Sequence, residues 1–311
     1  MSMSPDLIKR AAERLVRERE TSLVERAAQK LAAEQAPAGT PVAAASPRPS
    51  AGDAQRRQQG SVTIDLPRLR ARGFITPDGE ATRIAEEFRI IKRPLLTTAF
   101  GGSESGGSEP GVKNGHLIMV TSAKPNEGKT FVALNLAMSL ASERHLNVLL
   151  VDADFKNPSV PRQLGFRAQK GLIDVLAERD LDLADVMLRT SVRNLTILPA
   201  GFEQSNATEL LASQEMAGLI REIAERYNDR VIVFDSPPVL ASSEPGVLAM
   251  HVGQIVFVVE ASATNRRAVN EGLSLLSACP NISLVLNKRP GWLGADQFGT
   301  YYGYGAAKEN K

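Results

Sequence analysis

The run His116-Leu-Ile-Met-Val-Thr-Ser-Ala-Lys-Pro-Asn-Glu-Gly-Lys-Thr130 narrows the possible folds more than any other stretch of the chain. Leu117 to Val120 are apolar at every position, as a strand buried on both faces requires, and Phe131 to Ala141 carry apolar residues at helical spacing. A strand therefore enters a helix through a short polar loop. That loop ends Glu127-Gly128-Lys129-Thr130, and five places before Gly128 stands Ala123, where the phosphate-loop pattern G-x-x-x-x-G-K-[ST] has its first glycine. Such a loop turns backbone amides inward on a phosphate and adds the partial positive charge of a helix N-terminus. Its lysine serves the β- and γ-phosphates and its hydroxyl serves Mg2+. Gly128, Lys129 and Thr130 supply the helix N-terminus, the lysine and the hydroxyl, and the nucleotide-binding segment is expected to be Ala123, Lys124, Pro125, Asn126, Glu127, Gly128, Lys129, Thr130 and Phe131.

From residue 116 onward apolar strand-like runs alternate with helical patterns. Strands are predicted near 117–121, 147–151, 195–198, 231–234, 254–259 and 282–286, and helices near 129–142, 171–178, 207–227, 243–250 and 264–278. This alternation predicts an α/β fold, a doubly wound and mostly parallel sheet of the P-loop NTPase kind, in which ligands sit at the carboxyl ends of the strands. Two aliphatic runs lead into acids at that end: Val148 to Val151 into Asp152-Ala-Asp154, and Val231 to Phe234 into Asp235-Ser-Pro-Pro238. A single strand-end aspartate is as readily a cap. Three of them in one chain with a Gly-Lys-Thr loop match the carboxylates that Mg2+ takes alongside phosphate oxygens.

The remainder bounds the function. Formal net charge is +2, which gives no global argument for nucleic acid or a membrane surface. Cys279 is the one cysteine and the three histidines are scattered, so neither a disulfide framework nor a metal cluster is expected, and a reducing compartment suits the chain. No run approaches a membrane span and no signal-peptide core stands at the N-terminus, so a cytoplasmic chain is expected. Residues 1–60 read as an amphipathic helix over 5–34, either solvated or docked on a partner, followed by a Pro- and Gly-rich disordered linker. Residues 61–100 begin with a basic stretch that is expected to lie against the core through Leu66, Leu69 and Phe74. They then form a helix with Ile84, Phe88, Ile91 and Leu95 on one face, where Glu86 and Arg89 can pair with each other or face another subunit. The Gly-rich stretch 101–115 is expected to tether that helix without building it into the core. Residues 116–290 make the nucleotide-binding domain. The 291–311 tail concentrates Tyr301, Tyr302 and Tyr304 between glycines, a mobile arrangement that lets a hydroxyl reach a neighbouring copy.

Asp152-x-Asp154, lying between the loop and Asp235, resembles the second Walker-type motif of the bacterial tyrosine kinases of polysaccharide export, cousins of the partitioning ATPases. Asn135-Leu-Ala, Thr208-Glu-Leu-Leu-Ala-Ser213, Asp235-Ser-Pro-Pro238 and the tyrosine tail extend the resemblance. Glu86-Glu-Phe-Arg89-Ile-Ile-Lys92 is similar to that family's Glu-x-x-Arg-x-x-Arg helix, which packs one subunit on the next. The wording at Thr21 to Arg26 and Gly73 to Pro77 resembles most closely the exosortase-associated autokinase branch. The resemblance implies an ATP- and Mg2+-dependent tyrosine autokinase acting on its own tail. Lys129 would neutralise the phosphates, Thr130, Asp152 and Asp235 would hold Mg2+, and Asp152, beside Asp154, would accept the tyrosine proton. It also implies a ring-like homo-oligomer joined through Glu86, Arg89 and Lys92. A separate integral-membrane chain-length protein would recruit the kinase to the inner face of the membrane, with no role for nucleic acid. Asn287 would read adenine or serve as a cap. Asn126 stands where the kinases have glycine, Lys156 where many have arginine, and Lys124 where the partitioning ATPases carry a second lysine. A partitioning-type ATPase switch and a non-catalytic scaffold are the alternative readings.

Overall fold

A computed structural model describes residues 60–79, 82–101, 111–168, 170–178, 180–201 and 214–289. The 5–34 helix, the linker, the segment from Thr208 to Ser213 and the tyrosines at 301, 302 and 304 lie outside the described residues.

Among the described residues eight strands form one sheet. They are β1 (Ser61–Val62), β2 (Leu117–Ser122), β3 (Asn147–Asp152), β4 (Leu188–Thr190), β5 (Leu195–Leu198), β6 (Arg230–Asp235), β7 (Gln254–Glu260) and β8 (Ile282–Asn287), in the order β1-β4-β5-β3-β6-β2-β7-β8. Every pairing is parallel except β4 with β5. The helices are α1 (Leu66–Ala71), α2 (Arg83–Phe100), α3 (Lys129–Ala141), α4 (Val160–Leu164), α5 (Leu172–Ala177), α6 (Leu183–Val186), α7 (Gln214–Arg226), α8 (Glu244–Ala249) and α9 (Arg266–Leu275). The strands and helices predicted from residue 116 onward are present, with ends shifted by a few residues and positions 207–213 of one helix outside the described residues. The short elements β1, β4, α1, α4 and α6 were not predicted, being too brief to show a period.

The central strands are apolar throughout because each face has its own core. Leu117 and Met119 of β2, Leu149 and Val151 of β3, Ile232 and Phe234 of β6, and Ile255 and Phe257 of β7 point to one side, where α5, α7, α8 and α9 cover them. Ile118 and Val120, Val148 and Leu150, Val231 and Val233, and Val256 and Val258 point to the other, against α3. Helix α3 is itself buried from Val132 to Ala141 on all sides. A helix apolar all round must be covered all round, and α2 supplies the second cover.

This corrects the expected tethered helix: α2 is built into the core. Phe88 and Leu95 lie in the α3 cluster and Gln254 Nε2 donates to the Leu95 carbonyl at 2.9 Å. Lys92, expected on a subunit contact with Glu86 and Arg89, instead turns inward. It donates to the Ser139 carbonyl at 2.9 Å and pairs with Glu143 at 2.6 Å, so its charge is spent within its own chain. Thr82 caps the helix through the Ala85 amide. Leu66, Leu69 and Phe74 do lie against the core as expected, and Asn135 fastens this segment. Its Oδ1 accepts from the Ile75 amide at 2.7 Å and its Nδ2 donates to the Phe131 carbonyl at 2.8 Å.

Asn135→Leu keeps the branched outline of that side chain, with larger methyl ends, but leaves the buried Ile75 amide without an acceptor, a loss of about 1–3 kcal/mol. Urea denaturation should show that destabilisation; a midpoint equal to wild type would mean that the 60–79 segment is not held through Asn135.

Candidate active site

The parallel register assembles the site. Asp152 and Asp235 end neighbouring strands and stand opposite each other in the β3–β6 ladder, about 4.8 Å apart at the backbone. Strand β2, on the far side of β6, delivers the loop 123–128 at the same edge. Two residues of the loop take left-handed backbone angles, Asn126 at φ 67° and Gly128 at φ 96°. Asparagine is the side chain that tolerates this region best after glycine, so Asn126 in the usual glycine place retains the turn. Gly128 is demanded twice, because a Cβ there would also run into the Asn287 amide. Lys124, Pro125 and Asn126 are exposed along the loop, Ala123 is buried at its base, and the Phe131 ring faces Phe74 at 4.9 Å between centroids.

Lys129, at the first turn of α3, points back over the strand ends and pairs with Asp154 at 2.6 Å, with the two side chains 12% and 3% exposed. Burial alone would lower its pKa, but the charges of Asp235, Asp154 and Asp152 and the Asp154 hydrogen bond carry it above the ordinary lysine value. The loop lysine is thus a fixed cation. Asp152 is fully buried; its Oδ2 accepts from the Ser159 and Val160 amides at 3.0 Å each, and its Oδ1 takes only a 3.3 Å bond from the Asp154 amide. Desolvation, then the neighbouring Asp235 charge, push it up to about 8, while those amide bonds draw it down. Asp235 is pushed up to about 6, again chiefly by burial, with Lys129 and Thr130 opposing. The shift belongs to the pair, since the two share one desolvated edge.

Neither Asp235 oxygen meets a hydrogen-bond partner at standard geometry, although the Thr130 hydroxyl lies close enough to lower its pKa. Thr130 Oγ1 in turn accepts from Ser159 Oγ at 3.2 Å. Buried carboxylate oxygens without partners, beside a hydroxyl, fit Mg2+ bound together with phosphate. Among the described residues no three His, Cys, Asp or Glu side chains converge on a metal by themselves, so phosphate oxygens would have to complete the shell.

Of the other expected residues, Asn287 does reach the site, with its Nδ2 donating to the Glu127 carbonyl at 2.9 Å. Lys156 lies outside the cluster, bonded to Ser242 and paired with Glu244 at 3.5 Å. Glu86 and Arg89 pair with each other at 2.7 Å on the exposed side of α2, remote in sequence from the loop. Sequence reasoning missed Ser159. The Ser159-Val-Pro161 start of α4, with proline in its first turn, is the signal that could have found it.

The AAA domain family profile matches residues 115–287, more than half of the chain, and the chain belongs to that family. Its relatives are bacterial tyrosine-protein kinases. It is 31% identical over 159 residues to tyrosine-protein kinase wzc of Salmonella typhimurium, covering 51% of this chain and 22% of that protein. With the putative tyrosine-protein kinase CapB of Staphylococcus aureus it shares 28% over 229 residues, 73% of this chain and 92% of that one. Among solved structures, the VpsO kinase domain is 31% identical with a TM-score of 0.52, covering 67% of this chain and 100% of that one. The kinase domain of Escherichia coli tyrosine kinase ETK is 26% identical with a TM-score of 0.59, covering 77% and 88%. The chain thus spans about a fifth of the length of the Salmonella relative.

Asp152 and Asp235 bind protons more tightly in the folded chain than unfolded, so the stability penalty of ionising them is absent below the ordinary carboxylate range and grows as pH rises toward about 8. Nucleotide-free protein should lose denaturant resistance between about pH 5 and about pH 8. Asp235→Asn should flatten that slope and raise the midpoint at the upper end; an unchanged slope would mean the pair does not carry the shift.

Proposed function

We propose that this chain is a protein-tyrosine autokinase that transfers the γ-phosphoryl group of ATP to Tyr301, Tyr302 and Tyr304 of a neighbouring copy, and thereby regulates exopolysaccharide polymerisation and export. One observation carries the reading: Lys129, Thr130, Asp152, Asp154 and Asp235 meet at one end of a parallel sheet, in a chain whose relatives are named tyrosine-protein kinases. Phosphoryl transfer needs mainly positioning and neutralised charge.

In this mechanism Lys129 leaves Asp154 for the β- and γ-phosphates, which replace one carboxylate partner by another anion. The tyrosine oxygen bonds to the γ-phosphorus as the bond to the β–γ bridging oxygen breaks, ADP leaves with that electron pair, and the phenolic proton passes to Asp152 Oδ1, the oxygen with the weaker hydrogen bond. Once ionised, which a bound cation would favour, the buried Asp152 carboxylate is a stronger proton acceptor than an ordinary one. Thr130, Asp152 and Asp235 would hold Mg2+, which when bound supplies charge neutralisation at the phosphates. Asn287 would border the adenine.

Glu86, Arg89 and the 60% exposed Ile90 on α2 would form the contact between copies in a ring, without Lys92. A separate integral-membrane chain-length protein would bring the kinase to the inner membrane face; no helix among the described residues is long and apolar enough to cross a membrane. Assignment to the exosortase-associated branch rests on sequence resemblance alone.

Incubation with Mg2+ and ATP followed by mass spectrometry tests the reading. Phosphotyrosine at 301, 302 or 304 is expected, and Lys129→Met should abolish it with the fold intact. Release of phosphate without protein modification would select the ATPase switch instead. Asp152→Asn should lower kcat far more than it weakens nucleotide binding; equal losses would leave it a metal ligand only. Three phosphotyrosines bring roughly −5 charges to a site already lined by acids, so light scattering should find a large oligomer for Lys129→Met and a small species after phosphorylation. Unchanged mass would exclude that coupling.

A further inference from the structure

The carboxyl ends of β7 and β8 grip the phosphate loop at three points. Glu127 is 3% exposed and its side chain folds back under the loop, its Oε2 accepting from the Lys124 amide at 2.8 Å and its Oε1 accepting from the Thr264 hydroxyl. Thr264 Oγ1 itself accepts from the Glu260 amide at 3.1 Å, which leaves its one proton for Glu127. Asn287 Nδ2 donates to the Glu127 carbonyl at 2.9 Å, and Lys288 Nζ donates to the Asn126 carbonyl while pairing with Glu260 at 3.2 Å.

Peptide geometry turns these grips into a statement about the amides. In a planar trans unit the carbonyl and the following N–H point in opposite directions, and no peptide bond among the described residues is cis. Holding the Asn126 carbonyl toward Lys288 therefore aims the Glu127 amide away from β8. Holding the Glu127 carbonyl toward Asn287 does the same for the Gly128 amide. Both are thereby turned away from the strand ends that hold the loop and left for an anion, and donors fixed before binding cost no reorganisation when it arrives.

We infer that Glu127 and Thr264, with Asn287 and Lys288, are positioning residues that hold the phosphate loop in its anion-binding shape before nucleotide arrives. The inference rests on the reading of the loop as an ATP site. Glu127 is the centre of the device: a buried carboxylate is tolerated only where donors meet it, and here the donors are the loop's own amide and a hydroxyl delivered just past β7.

Thr264→Val removes the donor at nearly constant shape, and Thr264→Ser restores it. ADP with Mg2+, titrated calorimetrically, should bind Thr264→Val about tenfold more weakly, the change expected for one hydrogen bond to a charged group. Thr264→Ser should fall within about twofold of wild type, a small fraction of that hydrogen bond. In nucleotide-free protein, amide exchange of residues 122–130 should be faster in Thr264→Val than in wild type or Thr264→Ser, and KM for ATP should rise more than kcat falls. If wild type binds ADP and Thr264→Val matches it, or if Thr264→Ser is no better than Thr264→Val, the positioning role is wrong while the ATP site stands. If wild type binds no ADP, the ATP reading fails and this inference with it.

Discussion

A lysine and three aspartates share one desolvated strand edge, and each is tolerated only because of the others. Isolated buried charges are costly, and removing one partner from such a set leaves an uncompensated charge behind. Here Lys129 stays charged because Asp235, Asp154 and Asp152 surround it, Asp154 is neutralised by Lys129, and Asp152 is held by the two amides that open α4. Burial first, and then the repulsion left by three acids against one base, raise the proton affinity of Asp152 and Asp235. In the proposed mechanism that repulsion is what a bound cation relieves, and the same imbalance repels a phosphorylated product.

The sheet makes this cluster possible at low structural cost. Both of its faces are packed with aliphatic side chains, so the strands cannot slip by one residue without turning their apolar residues to the wrong face. The β3–β6 register consequently locks Asp152 opposite Asp235. The acids sit at the ladder's end, where the alternation of the two cores stops. Hydrophobic burial thus does the positioning, and the polar groups inherit their geometry from it.

Much of this was legible along the chain. The apolar run at 117–120, the loop at 123–130 and the strand-end acids at 152, 154 and 235 are local patterns whose spacing has a direct structural meaning, and the α2 face of Phe88 and Leu95 followed from helical periodicity. Less legible was everything that depends on a distant partner. Lys92 occupies a position in α2 that local spacing presents as one more surface charge, yet the Ser139 carbonyl and Glu143 receive it across the core. Asn126 reads as a departure from the pattern until its backbone angle is known. Thr264 and Lys288 carry no local signature of their contacts with Glu127 and Asn126, which lie 137 and 162 residues away.

By itself the sequence determined the class of fold, because the periods of its apolar residues specify strands, helices and two buried sheet faces, and it determined which side chains stand at the strand ends. Tertiary structure alone decided which of those side chains meet, how far each is dehydrated, and where each proton rests. Those properties follow from Coulomb and desolvation energies that vary over a few ångströms between segments remote in the chain, and no local pattern of residues encodes such distances.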